Sequence, residues 1–359
     1  MNRTLMIMAG GTGGHVMPGL AVAHEMRARN WQVVWLGNPG SMESELVPRE
    51  GIPMQWVRFG GLRGKGLMRK LLLPLNLLRA FWQSIVALRA TRPNVVLGMG
   101  GYVAFPGGMM AVLLNRPLVI HEQNSVAGLT NKVLAKIADR VLEAFPGALP
   151  GAVHCGNPVR AAILSHDNPV ARIKSRDGRL SVVVIGGSQG ARVLNETLPA
   201  ALAAIAPDQR PAVLHQCGRG NEQSVSQAYQ ESGVEAQVAE FIDDVASAYH
   251  QADLVVCRAG AMTVAELAAV GVASVLVPFP FAVDDHQTGN AQYLSSRGAA
   301  ILMPQPDFNA SSLSQVLLSL TRDSLADMAG AARAAALPEA TRVVADTCEA
   351  LVSESGVNA

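Results

Sequence analysis

Short apolar runs alternate with amphipathic stretches along the whole chain. In the first half, Leu5 to Ala9, Gln32 to Leu36, Gln55 to Val57, Val95 to Gly98 and Leu118 to His121 read as strands, with helical patterns near Pro18 to Arg29 and after Pro106. The second half repeats the rhythm. Strands are expected at Ser181 to Ile185, Ala212 to Gln216, Gln237 to Phe241, Leu254 to Cys257, Ser274 to Pro278 and Ala300 to Met303, and helices at Thr263 to Val270 and Gln287 to Arg297. Apolar runs bounded by glycine and alternating with helical stretches mark buried parallel strands, so each half predicts a doubly wound parallel α/β sheet. At 359 residues the chain exceeds the roughly 250–300 at which one core stops growing, and two Rossmann-like domains follow.

Gly156-Asn157-Pro158 punctuates the pattern, and a polar stretch from Ser165 to Arg179 precedes the next strand. The domains are therefore expected at residues 1–158 and 159–337. Helical patterns at Leu325 to Ala336 and Pro338 to Ser353 close the chain, and periodicity alone assigns them to neither half. The expectation is that a helix over about 338–355 packs back onto the first domain, and that disorder is confined to Ser353 to Ala359.

Composition narrows the function classes. Apolar residues make up 49% of the chain, charged residues 16%, and the net charge is +1, so there is no global basic field and no nucleic acid is expected as a partner. Cys155, Cys217, Cys257 and Cys348 are scattered singly, which gives neither a zinc spacing nor a disulfide framework and fits a reducing cytoplasm. The first apolar run is too short for the core of a signal peptide. The uncharged stretch Pro93 to Asn115 has the roughly 20-residue length of a membrane helix, yet Gly98, Gly100, Gly101, Pro106, Gly107 and Gly108 interrupt it and predict strand, loop, then helix.

The candidate chemistry lies in the glycine turns. Leu5 to Ala9 ends in Gly10-Gly11-Thr12-Gly13-Gly14-His15, and the pattern returns after Val182 to Ile185 as Gly186-Gly187-Ser188-Gln189-Gly190. A glycine turn between strand and helix exposes backbone N–H groups, and the helix N-terminus adds partial positive charge, so each turn can cradle phosphate. A third turn, Gly98-Met99-Gly100-Gly101-Tyr102, gives the first half two anion-ready loops, which suits a diphosphate. A nicotinamide enzyme fits poorly: G-x-G-x-x-G is missing and the second strand ends Trp35-Leu36-Gly37-Asn38, with no acid for a ribose. A Walker lysine is missing as well. Asp-x-Asp does not occur, and the adjacent pairs Asp243-Asp244 and Asp284-Asp285 diverge, so neither a metal-bridged diphosphate nor a cofactor is indicated.

Several side chains stay open to two readings at this level. His15, at the start of a helix whose N-terminus favours neutral imidazole, is either a general base or a capping residue. Arg160, near the domain junction, either reaches a phosphate bidentately or forms a surface ion pair. Glu266, placed on the first turn of the helix after Leu254 to Cys257, either accepts ribose hydroxyls or simply complements the helix dipole. The segment from Arg63 through Arg69, Lys70, Leu71, Leu75, Leu78, Arg79, Phe81 and Trp82 is basic and apolar together. It is either a core helix flanked by solvated cations or a face for an anionic membrane surface, and its uncharged run is too short to span a bilayer.

Taken in order, Gly10 to His15, Gly61 to Gly66, Gly98 to Gly108, His121-Glu122-Gln123-Asn124, Gly156 to Arg160, Gly186 to Ala191, Phe241-Ile242-Asp243-Asp244 and Asp284-Asp285-His286-Gln287 resemble the motifs of the MurG family, GT-B glycosyltransferases of family 28. The resemblance covers nearly the whole chain. It implies the GT-B fold, two Rossmann-like domains facing each other across a cleft. It also implies inverting transfer of N-acetylglucosamine (GlcNAc) from UDP-GlcNAc to the 4-hydroxyl of N-acetylmuramate (MurNAc) in undecaprenyl-diphosphate-MurNAc-pentapeptide, a step of peptidoglycan synthesis.

By the same resemblance the second domain holds the donor, with Ile242 near uracil, Glu266 on the ribose, Arg160, Ser188, Ala261, Met262 and Thr263 around the diphosphate, and Val264 and Ala265 also in the donor set. Asn124 and Gln287 address the sugar, with His286 an open alternative to Gln287, and Thr12, Gly13 and Gly14 also belong to the donor set. Gly10, Gly11, Gly100, Gly101 and Tyr102 lie near the acceptor diphosphate, and His15 is the base. A peripheral place on the cytoplasmic face of the bacterial inner membrane is implied, with other cell-wall synthesis proteins as partners and no metal. A UDP-GlcNAc epimerase on the same fold is the competing reading and a non-catalytic nucleotide-sugar sensor a third; acceptor dependence separates them.

Overall fold

In a computed structural model, residues 3–59, 72–164 and 167–357 are described. The chain divides into two compact units, residues 1–161 with 337–359, and residues 162–336.

The first unit is built on strands β1 (Thr4–Ala9), β2 (Gln32–Gly37), β3 (Met54–Trp56), β4 (Val95–Gly100), β5 (Leu118–Glu122), β6 (Arg140–Glu143) and β7 (Val153–His154). Their order is β3-β2-β1-β4-β5-β6-β7, and every pair is parallel. Strand β1 is buried along its length because helices cover both faces of the sheet. Leu5 and Ile7 point to helix α1 (Gly13–Ala28) and to the C-terminal helix Ala340–Val357, where Val16, Val344 and Cys348 meet them. Met6 and Met8 point the other way, toward Ala80, Leu88 and Ala111 of the helices Leu73–Thr91 and Ala104–Leu113, as the two-residue strand period requires. Arg29 at the end of α1 binds Asp346 at 2.6 Å and Glu349 at 2.7 Å, which fastens the last helix to this unit.

The second unit has strands β8 (Ser181–Ile185), β9 (Ala212–Gln216), β10 (Gln237–Ala239), β11 (Leu254–Cys257), β12 (Ala273–Leu276) and β13 (Ala300–Leu302), all parallel, in the order β10-β9-β8-β11-β12-β13. In each sheet the winding reverses beside the first strand, between β1 and β4 and between β8 and β11. Open α/β sheets bind ligands at that switch point, outside the carboxyl ends of the strands.

The structure departs from the sequence reading at several edges. Strands β6 and β7 escape the apolar pattern, since the first carries Arg140 and Glu143 at its ends and the second is two residues long. Helix α1 starts at Gly13, ahead of Pro18, so part of the glycine stretch read as turn is already helical. The helix expected after Pro106 starts at Ala104, which puts Pro106 in a first turn where its missing N–H costs nothing. Helix, not disorder, continues from Ser353 to Val357.

Candidate active site

In the first unit, the turn after β1 carries Gly10, Gly11 and Thr12, and Gly13, Gly14 and His15 open α1. A buried carboxylate shapes this turn. Glu43, on helix α2 (Met42–Arg49), accepts the Gly11 N–H at 3.0 Å through Oε2 and the Asn38 N–H at 3.0 Å through Oε1. The parallel neighbour β4 delivers Gly100, Gly101 and the exposed Tyr102 to the same sheet edge. Gly100 sits at φ +95°, and a Cβ there would lie 2.9 Å from the His15 ring, so glycine gives the imidazole its room.

The imidazole is tied inward. His15 Nδ1 lies 2.8 Å from Gln123 Oε1, and Gln123 Nε2 lies 3.0 Å from both Nδ1 and the main-chain oxygen of His121. His121 Nε2 in turn lies 2.9 Å from the Gly156 carbonyl. Burial pushes the His121 pKa from 6.5 down to about 4, so this ring is neutral at physiological pH. Glu122, also buried, accepts the main-chain N–H of Asn124 at 2.9 Å and the side-chain amide of Asn131 at 2.8 Å, which shapes the loop that presents Asn124. Arg160 closes the segment before the short 3-10 helix Ala161–Ile163.

In the second unit, the turn after β8 places Gly186, Gly187, the exposed Ser188 and Gly190 ahead of the helix Arg192–Ala203. Gly190 sits at φ +75°, and a Cβ there would lie 2.1 Å from the Cys217 carbonyl, a contact no side chain permits. Gln216 at the end of β9 pins the turn, accepting the Gly187 N–H at 3.0 Å and donating to the Gly187 carbonyl at 2.9 Å. Next to it, β11 leads through Gly260 into the helix Ala261–Val270, whose opening turn holds Ala261, Met262, Thr263 and Val264. Ala265 and Glu266 follow. Ile242 lies between β10 and the helix Val245–Gln251.

A cavity of about 590 Å³ opens here, lined among others by Gly186, Gly190, Arg192, Arg258, Phe279 and Gln287. Arg258 donates to Gln305 Oε1 at 2.7 Å and to the Pro278 carbonyl at 3.1 Å, with its guanidinium 5.3 Å from the centre of the Phe279 ring. Gln287 Oε1 accepts the Phe279 N–H at 2.9 Å, whereas His286 Nδ1 bonds back to the Val283 carbonyl at 2.7 Å within its own turn. Among the described residues, no group of three or more His, Cys, Asp or Glu is placed to hold a metal ion. Burial raises the thiols of Cys155, Cys257 and Cys348 to about 12, which leaves them inert as nucleophiles at neutral pH.

Residues 5–143 match the glycosyltransferase family 28 N-terminal domain, and residues 181–345 match the family's C-terminal domain. The chain belongs to glycosyltransferase family 28. It is 61% identical, over 97% of its length and 96% of the relative's, to the UDP-N-acetylglucosamine–N-acetylmuramyl-(pentapeptide) pyrophosphoryl-undecaprenol N-acetylglucosamine transferase of Ralstonia nicotianae. The transferase of the same name from Cupriavidus necator is 60% identical over 98% of this chain and 99% of its own. Among solved structures, Acinetobacter baumannii MurG superposes with a TM-score of 0.86 at 41% identity, covering 97% of this chain and 99% of that one. The calicheamicin glycosyltransferase CalG4, at 15% identity and a TM-score of 0.66 over 99% of this chain and all of its own, shares the fold alone.

In this family 28 chain, Glu266 falls on the second turn of its helix, not the first, so complementing the helix dipole no longer accounts for it. Arg69, Lys70 and Leu71 lie outside the described residues, as does Gly61 to Gly66. The helix Leu73–Thr91 turns two faces to different surroundings: Ala80, Ser84, Ala87 and Leu88 are buried, while Leu75, Leu78 and Trp82 are 65%, 64% and 64% exposed beside Arg79. A core helix leaves no such apolar face in water. Phe81 does not share that face; it is half-buried, with its ring 6.2 Å from that of Phe105. Among the described residues no helix is long and apolar enough to cross a membrane. The sequence reading missed Glu43, Gln216 and Arg258, and quoted His121 and Gln123 without a role; only the adjacency of Arg258 to the Ala259-Gly260 turn hinted at any of them.

Proposed function

We propose that this family 28 enzyme transfers GlcNAc from UDP-GlcNAc to the MurNAc 4-hydroxyl of undecaprenyl-diphosphate-MurNAc-pentapeptide. The near-full-length identity to transferases of that name carries the reading. The turns fit it physically. The backbone N–H groups of Ser188 and Gln189, between the internally bonded N–H groups of Gly187 and Gly190, and those at the start of Ala261–Val270 offer positive ends of dipoles to a diphosphate, so the charge on departing UDP is met without a metal. Arg160, Ser188, Ala261, Met262 and Thr263 serve that diphosphate, and Thr12, Gly13, Gly14, Val264 and Ala265 belong to the donor set. Ile242 faces uracil, Glu266 the ribose, and Gln287 and Asn124 the sugar.

On the acceptor side, Gly10, Gly11, Gly100, Gly101 and Tyr102 receive the lipid-linked diphosphate. His15 takes the proton from the attacking hydroxyl as its oxygen bonds the anomeric carbon and UDP leaves. One base and one displacement invert the anomeric centre. Leu75, Leu78, Arg79 and Trp82 lay the enzyme on an anionic membrane, Phe81 supports that face from within, and Arg69, Lys70 and Leu71 are assigned to the same membrane contact. This places the protein peripherally on the cytoplasmic face of the inner membrane, where other cell-wall synthesis proteins are its partners. The relatives give no support to an epimerase. The deciding assay is UDP release from UDP-GlcNAc with and without a polyprenyl-diphosphate-linked MurNAc-peptide. Release only with acceptor is expected, and equal consumption of donor without it would replace the transferase by an epimerase.

A further inference from the structure

The chain of contacts running inward from His15 has only one possible direction. Gln123 Nε2 lies 3.0 Å from the main-chain oxygen of His121, and a carbonyl oxygen can only accept, so that atom is the amide nitrogen and Oε1 is the atom facing His15. At the far end the Gly156 carbonyl, also an acceptor only, sits 2.9 Å from His121 Nε2, so that nitrogen carries the proton. His121 Nδ1 is then left with its lone pair, which receives the second hydrogen of the Gln123 amide. Gln123 Oε1 therefore needs a donor, and the group 2.8 Å away is His15 Nδ1.

We propose that Gln123 and His121 are positioning residues that hold His15 as its Nδ1–H tautomer, leaving Nε2 with the lone pair that takes the proton of the attacking hydroxyl. The proposal rests on the reading of His15 as the base. Gln123 and His121 are both fully buried, and the Asn157 side-chain amide braces the Gln123 main-chain carbonyl at 3.0 Å, so the relay is held from both ends. The low pKa of His121 keeps that ring neutral and the order of donors intact across the working pH range. When Nε2 gains the acceptor's proton, the Nδ1–H to Gln123 bond persists unchanged, so no polar group has to reorient as the oxygen–carbon bond forms.

The test is the tautomer itself, read by nitrogen NMR on the full chain carrying ¹⁵N-labelled histidine, with His15 assigned through His15→Gln. The expected spectrum shows the neutral His15 ring protonated on Nδ1 and bare on Nε2. Gln123→Leu removes the acceptor; it is expected to release the tautomer and lower kcat about 10–100-fold, the size of loss typical when the partner orienting a histidine is removed, with the donor KM unchanged. A His15 protonated on Nε2 in the wild-type protein overturns the proposal, as does an unchanged tautomer and kcat in Gln123→Leu. The wild-type spectrum decides by itself should the buried leucine prevent folding. Should His15→Ala retain full turnover, the base reading fails whatever the tautomer.

Discussion

The His15 ring has room because of what is absent beside it. Gly100 lies close enough to the ring that any Cβ there would press on the imidazole. His15→Ala is expected to lower turnover about 10²–10⁴-fold, the range for a general acid or base, while UDP-GlcNAc binding by calorimetry stays at the wild-type level. Turnover within a few-fold of wild type would remove His15 from the base role and leave the family assignment standing. Glu266, on the second turn of its helix, has its test in donor affinity: Glu266→Ala is expected to raise the donor KM with little change in kcat, and an unaltered KM would exclude ribose contact.

At the scale of elements, both units hold a glycine turn from the side with one long polar residue, Glu43 on α2 and Gln216 at the end of β9. Gln216→Leu keeps the volume but removes both hydrogen bonds that the side chain makes to Gly187, whose carbonyl keeps the Gly190 N–H at 2.9 Å. The expected result is a raised donor KM and a stability loss of about 0.5–1.5 kcal/mol for each hydrogen bond removed, read by denaturant unfolding. Wild-type donor affinity in that variant would show that the turn holds its shape unaided. The turns themselves were legible because a strand, its glycines and the following helix are contiguous in sequence. Their braces were not, since Glu43 meets Gly11 from 32 positions away, Gln216 meets Gly187 from 29, and Gln123 meets His15 from 108. Such contacts follow from strand order, which local pattern does not encode. Strands β6 and β7 were missed for a simpler reason, being too short and too charged to show an apolar run.

At the scale of the whole molecule, each unit encloses a histidine that folding keeps neutral. His121 belongs to the first and His215 to the second; His215 lies between Tyr229 at 2.9 Å and Asn195 at 3.1 Å, and burial lowers both rings from 6.5 to about 4. In the unfolded chain they take up protons near 6.5, so between that pH and about 4 the unfolded state binds more protons and stability falls as pH falls. Each ring contributes at most roughly 3 kcal/mol to that loss. Thermal unfolding followed from pH 7 down to 4 is expected to show a steady fall in Tm, and a flat profile through that window would mean that the rings are not buried neutral. In the proposed reaction the sugar moves by a single displacement at the anomeric carbon with one imidazole as base. Proton NMR of the purified lipid-linked disaccharide tests it most directly, because an α-linked donor must then give a β-linked product. A β coupling is the result predicted here, and an α-linked product, or a sugar trapped covalently on the enzyme, would contradict it.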